Sequence, residues 1–171
     1  MKKLITVLLL LSLLLTLSAC GSGTSATDPF NEKDFSFYDA DGKAVASPNE
    51  IMTSVSLSEH EDAQTHRGIK IGSSADELLN AYEFTAGKTA YVDGNFEENI
   101  YDRYVDLSGV FREADALGGA VALVIIIDEN GTEVDALEIL QDDAVDINGY
   151  RSLMFIVKDY AVLEVNISLY L

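Results

Sequence analysis

The chain has one cysteine, two prolines, two histidines and no tryptophan. A single cysteine excludes a disulfide within the chain and a cysteine-rich metal domain, and two prolines exclude a proline-rich stalk. Basic side chains are also scarce: 11 Lys and Arg stand against 29 Asp and Glu, a formal charge of -18 over 171 residues. A body of that sign repels phosphate backbones, so no nucleic-acid partner is expected. Sequence motifs of enzyme chemistry are thin as well. There is no G-x-S-x-G elbow, and Gly118-Gly119 lacks the pattern and the lysine of a phosphate-binding loop. What the chain does have is 48% hydrophobic residues, enough to build the core of one globular domain.

The longest apolar run is at the start. Lys2 and Lys3 precede Leu4 to Leu17, which is apolar apart from Thr6, Ser12 and Thr16. Such a run behind lysines reads as a secretory signal and is short for a membrane span. It ends in Leu17-Ser18-Ala19-Cys20, which resembles the lipobox of bacterial lipoproteins. The resemblance implies that residues 1–19 are a signal peptide and that Cys20 is diacylated and becomes the first residue. The protein would then sit at the extracytoplasmic face of the bacterial cell membrane. Two acyl chains suit stable anchoring, where one is marginal. Loss of Lys2 and Lys3 leaves 9 of the 11 basic side chains against all 29 acidic ones, moving the formal charge from -18 to -20. Anionic headgroups repel such a body, so the bilayer is expected as a partner only through acylated Cys20. Gly21 to Thr27 is small and polar throughout. Residues 20–30 therefore read as a flexible tether, and residues 31–171 as a single domain.

Within that domain, Phe35 to Asp39 reads as a short strand, Asp39 to Gly42 as a turn and Lys43 to Ala46 as the return strand. Ile51, Thr53, Val55 and Leu57 alternate with polar or flexible residues, the pattern of a half-buried strand. Residues 89–117 stay open between helix and strand, with Thr89 to Val92 a candidate strand, Asp93 to Asn95 a candidate turn and Arg112 to Leu117 a candidate helical turn. Gly119 to Ile127 is apolar on both alternating faces, as in a central strand covered on both sides. Asn130-Gly131 is a hairpin signal that predicts a returning strand over Glu133 to Leu140. Leu153 to Val157 and Ala161 to Tyr170 follow as strands. In the last, Ala161, Leu163, Val165, Ile167 and Leu169 share one face against a mostly polar one, the pattern of an edge. The order predicts an α+β fold: a C-terminal antiparallel meander of three to four strands packed against one or two helices.

The firmest local signal is Arg67-Gly68-Ile69-Lys70-Ile71-Gly72-Ser73-Ser74-Ala75-Asp76-Glu77-Leu78-Leu79-Asn80-Ala81-Tyr82. Ser73 or Ser74 can cap a helix, each with an acid three places on, and Ala75, Leu78, Leu79 and Tyr82 form one apolar stripe. Gly68 and Gly72 supply turns. This segment resembles one that recurs in small uncharacterised lipoproteins of Gram-positive bacteria. It is more loosely similar to the helix-on-sheet unit of the beta-lactamase-inhibitor-protein and outer-membrane small-lipoprotein families. The resemblance implies protein binding or envelope assembly and carries no catalytic residue. Gly68, Gly72, Ser73, Ser74 and Glu77 take structural turn and cap roles in it.

Candidate sites follow from residue chemistry. His60 and His66 sit near Glu59, Glu61 and Asp62, but a spacing of six fits no helical metal-ligand pair. Asp39, Asp41 and Gly42 echo the start of a calcium loop, with Glu50 twelfth from Asp39. Lys43 then stands where an oxygen ligand belongs, so a hairpin turn is the better reading. The acidic turns around Asp93, Asn95, Glu97 and Glu98, and around Asp142, Asp143, Asp146 and Asn148, leave a weak calcium site as an alternative; no other cofactor or metal is expected. Tyr101, Arg103 and Tyr104 are the candidate binding face, because arginine and tyrosine on an acidic surface make a frequent hot-spot pairing. The function expected is an envelope binding or accessory module for a protein or wall component. A hydrolase acting on wall polymers or peptides, and a calcium-dependent structural or adhesion module, are the alternatives.

Overall fold

A computed structural model describes residues 28–84, 90–94, 101–103, 107–141 and 144–171. In chain order the elements are β1 (Phe37–Tyr38), β2 (Ala44–Ala46), β3 (Ser54–Ser56), β4 (Gln64–Thr65), α1 (Ala75–Ala81), β5 (Ala90–Gly94), β6 (Tyr101–Arg103) and α2 (Leu107–Leu117). Then come β7 (Ala120–Ile127), β8 (Glu133–Val134), α3 (Ala136–Gln141), β9 (Arg151–Lys158) and β10 (Ala161–Leu169). Two 3-10 turns, Glu32–Phe35 and Leu57–Glu59, complete the described part. The fold is α+β. The main sheet runs β3-β10-β9-β7-β5-β6, with β8 paired to the far end of β7, and a small sheet runs β2-β1-β4. Every pairing is antiparallel.

Strand β7 is central because both its faces are apolar. All eight of its residues are buried. Val121, Leu123, Ile125 and Ile127 enter the main core with Leu78 of α1, Phe111 of α2, Phe37 of β1 and Phe155 of β9. Val124 and Ile126 face the other way, onto Ala136 and Leu137 of α3. Among the described residues the sheet thus carries helices on both faces, α1 and α2 on one and α3 on the other.

The segment expected to return as a strand over Glu133 to Leu140 does so for two residues only. The Asp135 carboxylate then accepts the amides of Leu137 (3.1 Å) and Glu138 (3.2 Å) and caps α3. Ala-Leu-Glu-Ile-Leu-Gln favours a helix once capped, and as a helix it packs Ala136, Leu137 and Ile139 against Val124 and Ile126. The strand expected from Ile51 is shortened in the same way. The Asn49 side chain accepts the Ile51 and Met52 amides (2.9 and 3.0 Å), closing a turn that delays pairing to Ser54 and leaves Ile51 96% exposed. The chain continues from Ser56 straight into a 3-10 turn at Leu57. Arg112 to Leu117 is the end of a longer helix, α2, and Asp93 and Gly94 are strand residues of β5.

Strand β10 is not an edge. Its second half pairs with β3 through Asn166, Ile167 and Ser168. Its pairing with β9 slips between Val162 and Glu164, a bulge that inverts the face of everything before it. Val162 is therefore buried and Leu163 is 54% exposed, the reverse of an unbroken alternation, while Val165 and Ile167 remain in the core.

Candidate functional site

The segment from Arg67 to Tyr82 covers the first half of β10, which β3 leaves unpaired. Gly72 donates to the Val162 carbonyl and Val162 to that of Ser73, both at 2.7 Å, and Ala75 donates to Tyr160 at 2.8 Å. That last bond satisfies an amide which the start of α1 would otherwise leave unpaired. Gly72 has φ +85°, in the left-handed region that favours glycine, which turns the chain onto the strand. Ser73 and Ser74 divide their work: the Ser73 hydroxyl accepts from Lys70 (3.1 Å) within the turn, and Ser74 caps α1. Glu77 completes a capping box, accepting the Ser74 amide at 2.7 Å. Hydrogen bonds from the Ser74 amide and hydroxyl hold the Glu77 carboxyl below the usual glutamate range. Gly72, Ser73 and Ser74 thus meet on β10, with Glu77 holding the Ser74 cap, while Gly68 (φ +86°) turns the chain earlier, its amide donating to the Thr65 carbonyl at 3.0 Å.

Arg67, at the head of the same segment, has the chemistry that sequence reasoning missed. Its side chain and that of Asp34 are fully buried, with Nε 2.7 Å from Oδ1 and Nη2 3.2 Å from Oδ2. Nη1 donates to the Ala81 carbonyl (3.3 Å) and Nη2 to the Asp28 carbonyl (2.9 Å). The guanidinium lies over the rings of Phe30 and Tyr82, 4.9 Å from each centroid. Asp34 Oδ2 also accepts the Asn31 amide at 3.0 Å. Burial pushes the Tyr82 phenol well above the ordinary tyrosine range, against the Thr65 hydroxyl and the Arg67 charge, which favour ionisation. Such a centre holds structure. Its charges face each other and the backbone, not solvent, and residues 28–30 are clamped into the folded body. Nothing in the spacing of Asp34 and Arg67, 33 residues apart, marks them as partners; the only hint is an arginine among so few cations.

An open site lies elsewhere, around His60. Two shallow hollows of about 300 and 350 Å³ both count His60 among their walls. The first lies between two strands that end their sheets, β2 and β3, with Val45, Met52 and Val55 as its apolar lining. The second is lined by Leu57, Ala63 and Ile71 together with Ser58, Glu61, Asp62 and Lys70. Of the eight large apolar side chains exposed among the described residues, Val45, Ile51, Met52 and Ile71 lie on or beside this trough. The His60 ring is 6.4 Å from that of Phe37, which ties the trough floor to the core.

The other candidate residues do not converge there. Tyr101 and Arg103 lie on β6, at the opposite end of the main sheet from β3, and are described by backbone alone; Tyr104 and Cys20 lie outside the described residues. His66 packs against Tyr38, with ring centroids 5.5 Å apart, away from His60. Asp39 accepts the Asp41 and Lys43 amides (3.0 and 2.9 Å) as the cap of a hairpin turn. Among the described residues no three carboxylate, imidazole or thiolate groups gather as a metal site. Asn95, Glu97, Glu98, Asp142 and Asp143 lie outside them.

No helix among the described residues is long and apolar enough to cross a membrane. Comparison with protein-family models, with curated proteins and with solved structures finds no match to the chain.

Proposed function

We propose that the chain is an exported, lipid-anchored envelope domain that acts as a binding or accessory module for a protein or wall component. The observation that carries this reading is the trough around His60, where exposed apolar side chains gather on an otherwise strongly acidic body. Exposed apolar side chains gathered around a hollow are a common mark of an interaction site. The lipobox supports the location. If Cys20 carries the lipid, eight peptide units separate it from Asp28, so the clamped start of the domain stands at most roughly 30 Å from the bilayer surface. The module therefore works close to the membrane while its charge keeps it off the headgroups.

The test is affinity recovery from solubilised envelopes with the full acylated protein as bait, with and without calcium, read by mass spectrometry. One partner recovered in stoichiometric amount under both conditions is the expected result. Recovery only with calcium would transfer the function to the acidic turns. Recovery of nothing above a mock bait would overturn the binding reading.

A further inference from the structure

The charge around the trough selects its occupant. From Ala44 to His66 the chain has four carboxylates, Glu50, Glu59, Glu61 and Asp62, and no lysine or arginine. All four are exposed. Lys70 is the one cation that lines either hollow. The two hollows differ in chemistry: that against β2 and β3 has no Asp, Glu, Lys or Arg in its lining, while that beyond His60 has Glu61 and Asp62 beside Lys70. We infer that the trough docks a segment of a partner protein that carries apolar and basic side chains together, the apolar ones against Val45 and Met52 and the basic ones against Glu61 and Asp62. This rests on the binding reading above and names the kind of partner.

Charge complementarity argues against the other occupants. A second copy brings the same net charge of -18, or -20 after loss of the signal, and the same four carboxylates to the interface. Anionic headgroups meet the same repulsion. A strand added to β2 or β3 gains little, because these strands are only three residues long and β2 pairs irregularly with β1. Side-chain contacts in the hollows, more than backbone pairing, must therefore supply the affinity.

The test is titration calorimetry on the full acylated protein in detergent, with three synthetic peptides of equal length: alternating leucine and lysine, serine and lysine, and leucine and glutamate. The leucine–lysine peptide binds, and serine–lysine binds at least about tenfold more weakly, the loss expected when apolar anchors are removed. Leucine–glutamate gives no heat of binding. Met52→Asp and Glu61→Lys each weaken the leucine–lysine peptide by about tenfold or more. Both residues are exposed, and unchanged melting curves separate lost binding from lost folding.

Equal binding of serine–lysine and leucine–lysine would reduce the effect to bulk charge and overturn the inference. So would full affinity in Met52→Asp, or no binding of leucine–lysine at all. Concentration-dependent dimers, or capture by anionic vesicles, abolished by Met52→Asp would assign the trough to a second copy or to lipid instead. If peptides fail while an envelope partner is still recovered equally by wild type and Met52→Asp, the binding reading stands and only this inference falls.

Discussion

The Arg67 centre and the His60 trough both combine charged and aromatic side chains, yet they differ in how completely those groups are satisfied. At Arg67 the side chains are buried, and the guanidinium meets a carboxylate, backbone carbonyls and two rings. At His60, apolar side chains are left open to water beside exposed carboxylates. A buried charge requires a complete set of partners, so the first arrangement is a fastening. Exposed apolar surface lowers no free energy until something covers it, which is why the second is the docking surface proposed above.

The comparison can be broken by substitutions that should behave oppositely on the two sides. Arg67→Ala leaves Asp34 buried without its counter-charge and should cost about 3–5 kcal/mol of unfolding free energy in urea titrations, the largest effect anticipated. A loss near zero would mean that Asp34 reaches water and that the centre is not closed. Ser74→Ala removes the cap of α1 and should cost about 1 kcal/mol in the same titrations.

A smaller effect is read from pH. Burial opposes ionisation of Glu164, but hydrogen bonds from Ser58, Ser56 and the Val165 amide outweigh it and hold the carboxyl below the usual glutamate range. A carboxyl depressed on folding stabilises the native state above its unfolded value and loses that contribution as pH falls through its folded value. Stability should therefore decline below pH 4.5, the ordinary glutamate value, and Glu164→Gln should decline less steeply. Identical acid profiles for the two proteins would contradict this. The smallest stability effect belongs to the trough: Val45→Asp should stay within about 0.5 kcal/mol of wild type. A large loss there would make Val45 part of the core and not of an open site.

The main sheet was legible in the sequence where apolar residues formed long unbroken patterns. Strand β7 announced itself by covering both faces, and α1 by its cap and stripe. Reading failed where a single side chain redirected the backbone. Asp135 caps a helix inside a run expected to return as a strand, Asn49 postpones β3, and one extra residue in β10 exchanges the environments of Val162 and Leu163. The Arg67–Asp34 pair was illegible for another reason: burial of a charge depends on what the fold brings against it over long sequence separations. The trough was hidden likewise, because β2, β3 and the turn bearing His60 meet only in three dimensions. Individually, Val45 and Met52 look like ordinary members of an alternating pattern.

The most direct test places a photoreactive side chain at Met52, and in a second protein at Leu117, on the full chain in whole cells. Leu117 is 74% exposed and Met52 52%, so accessibility alone favours the control. One discrete cross-linked protein from position 52 and none from position 117 is the result predicted for a docking trough. No adduct at 52, or the same products from both positions, would contradict it.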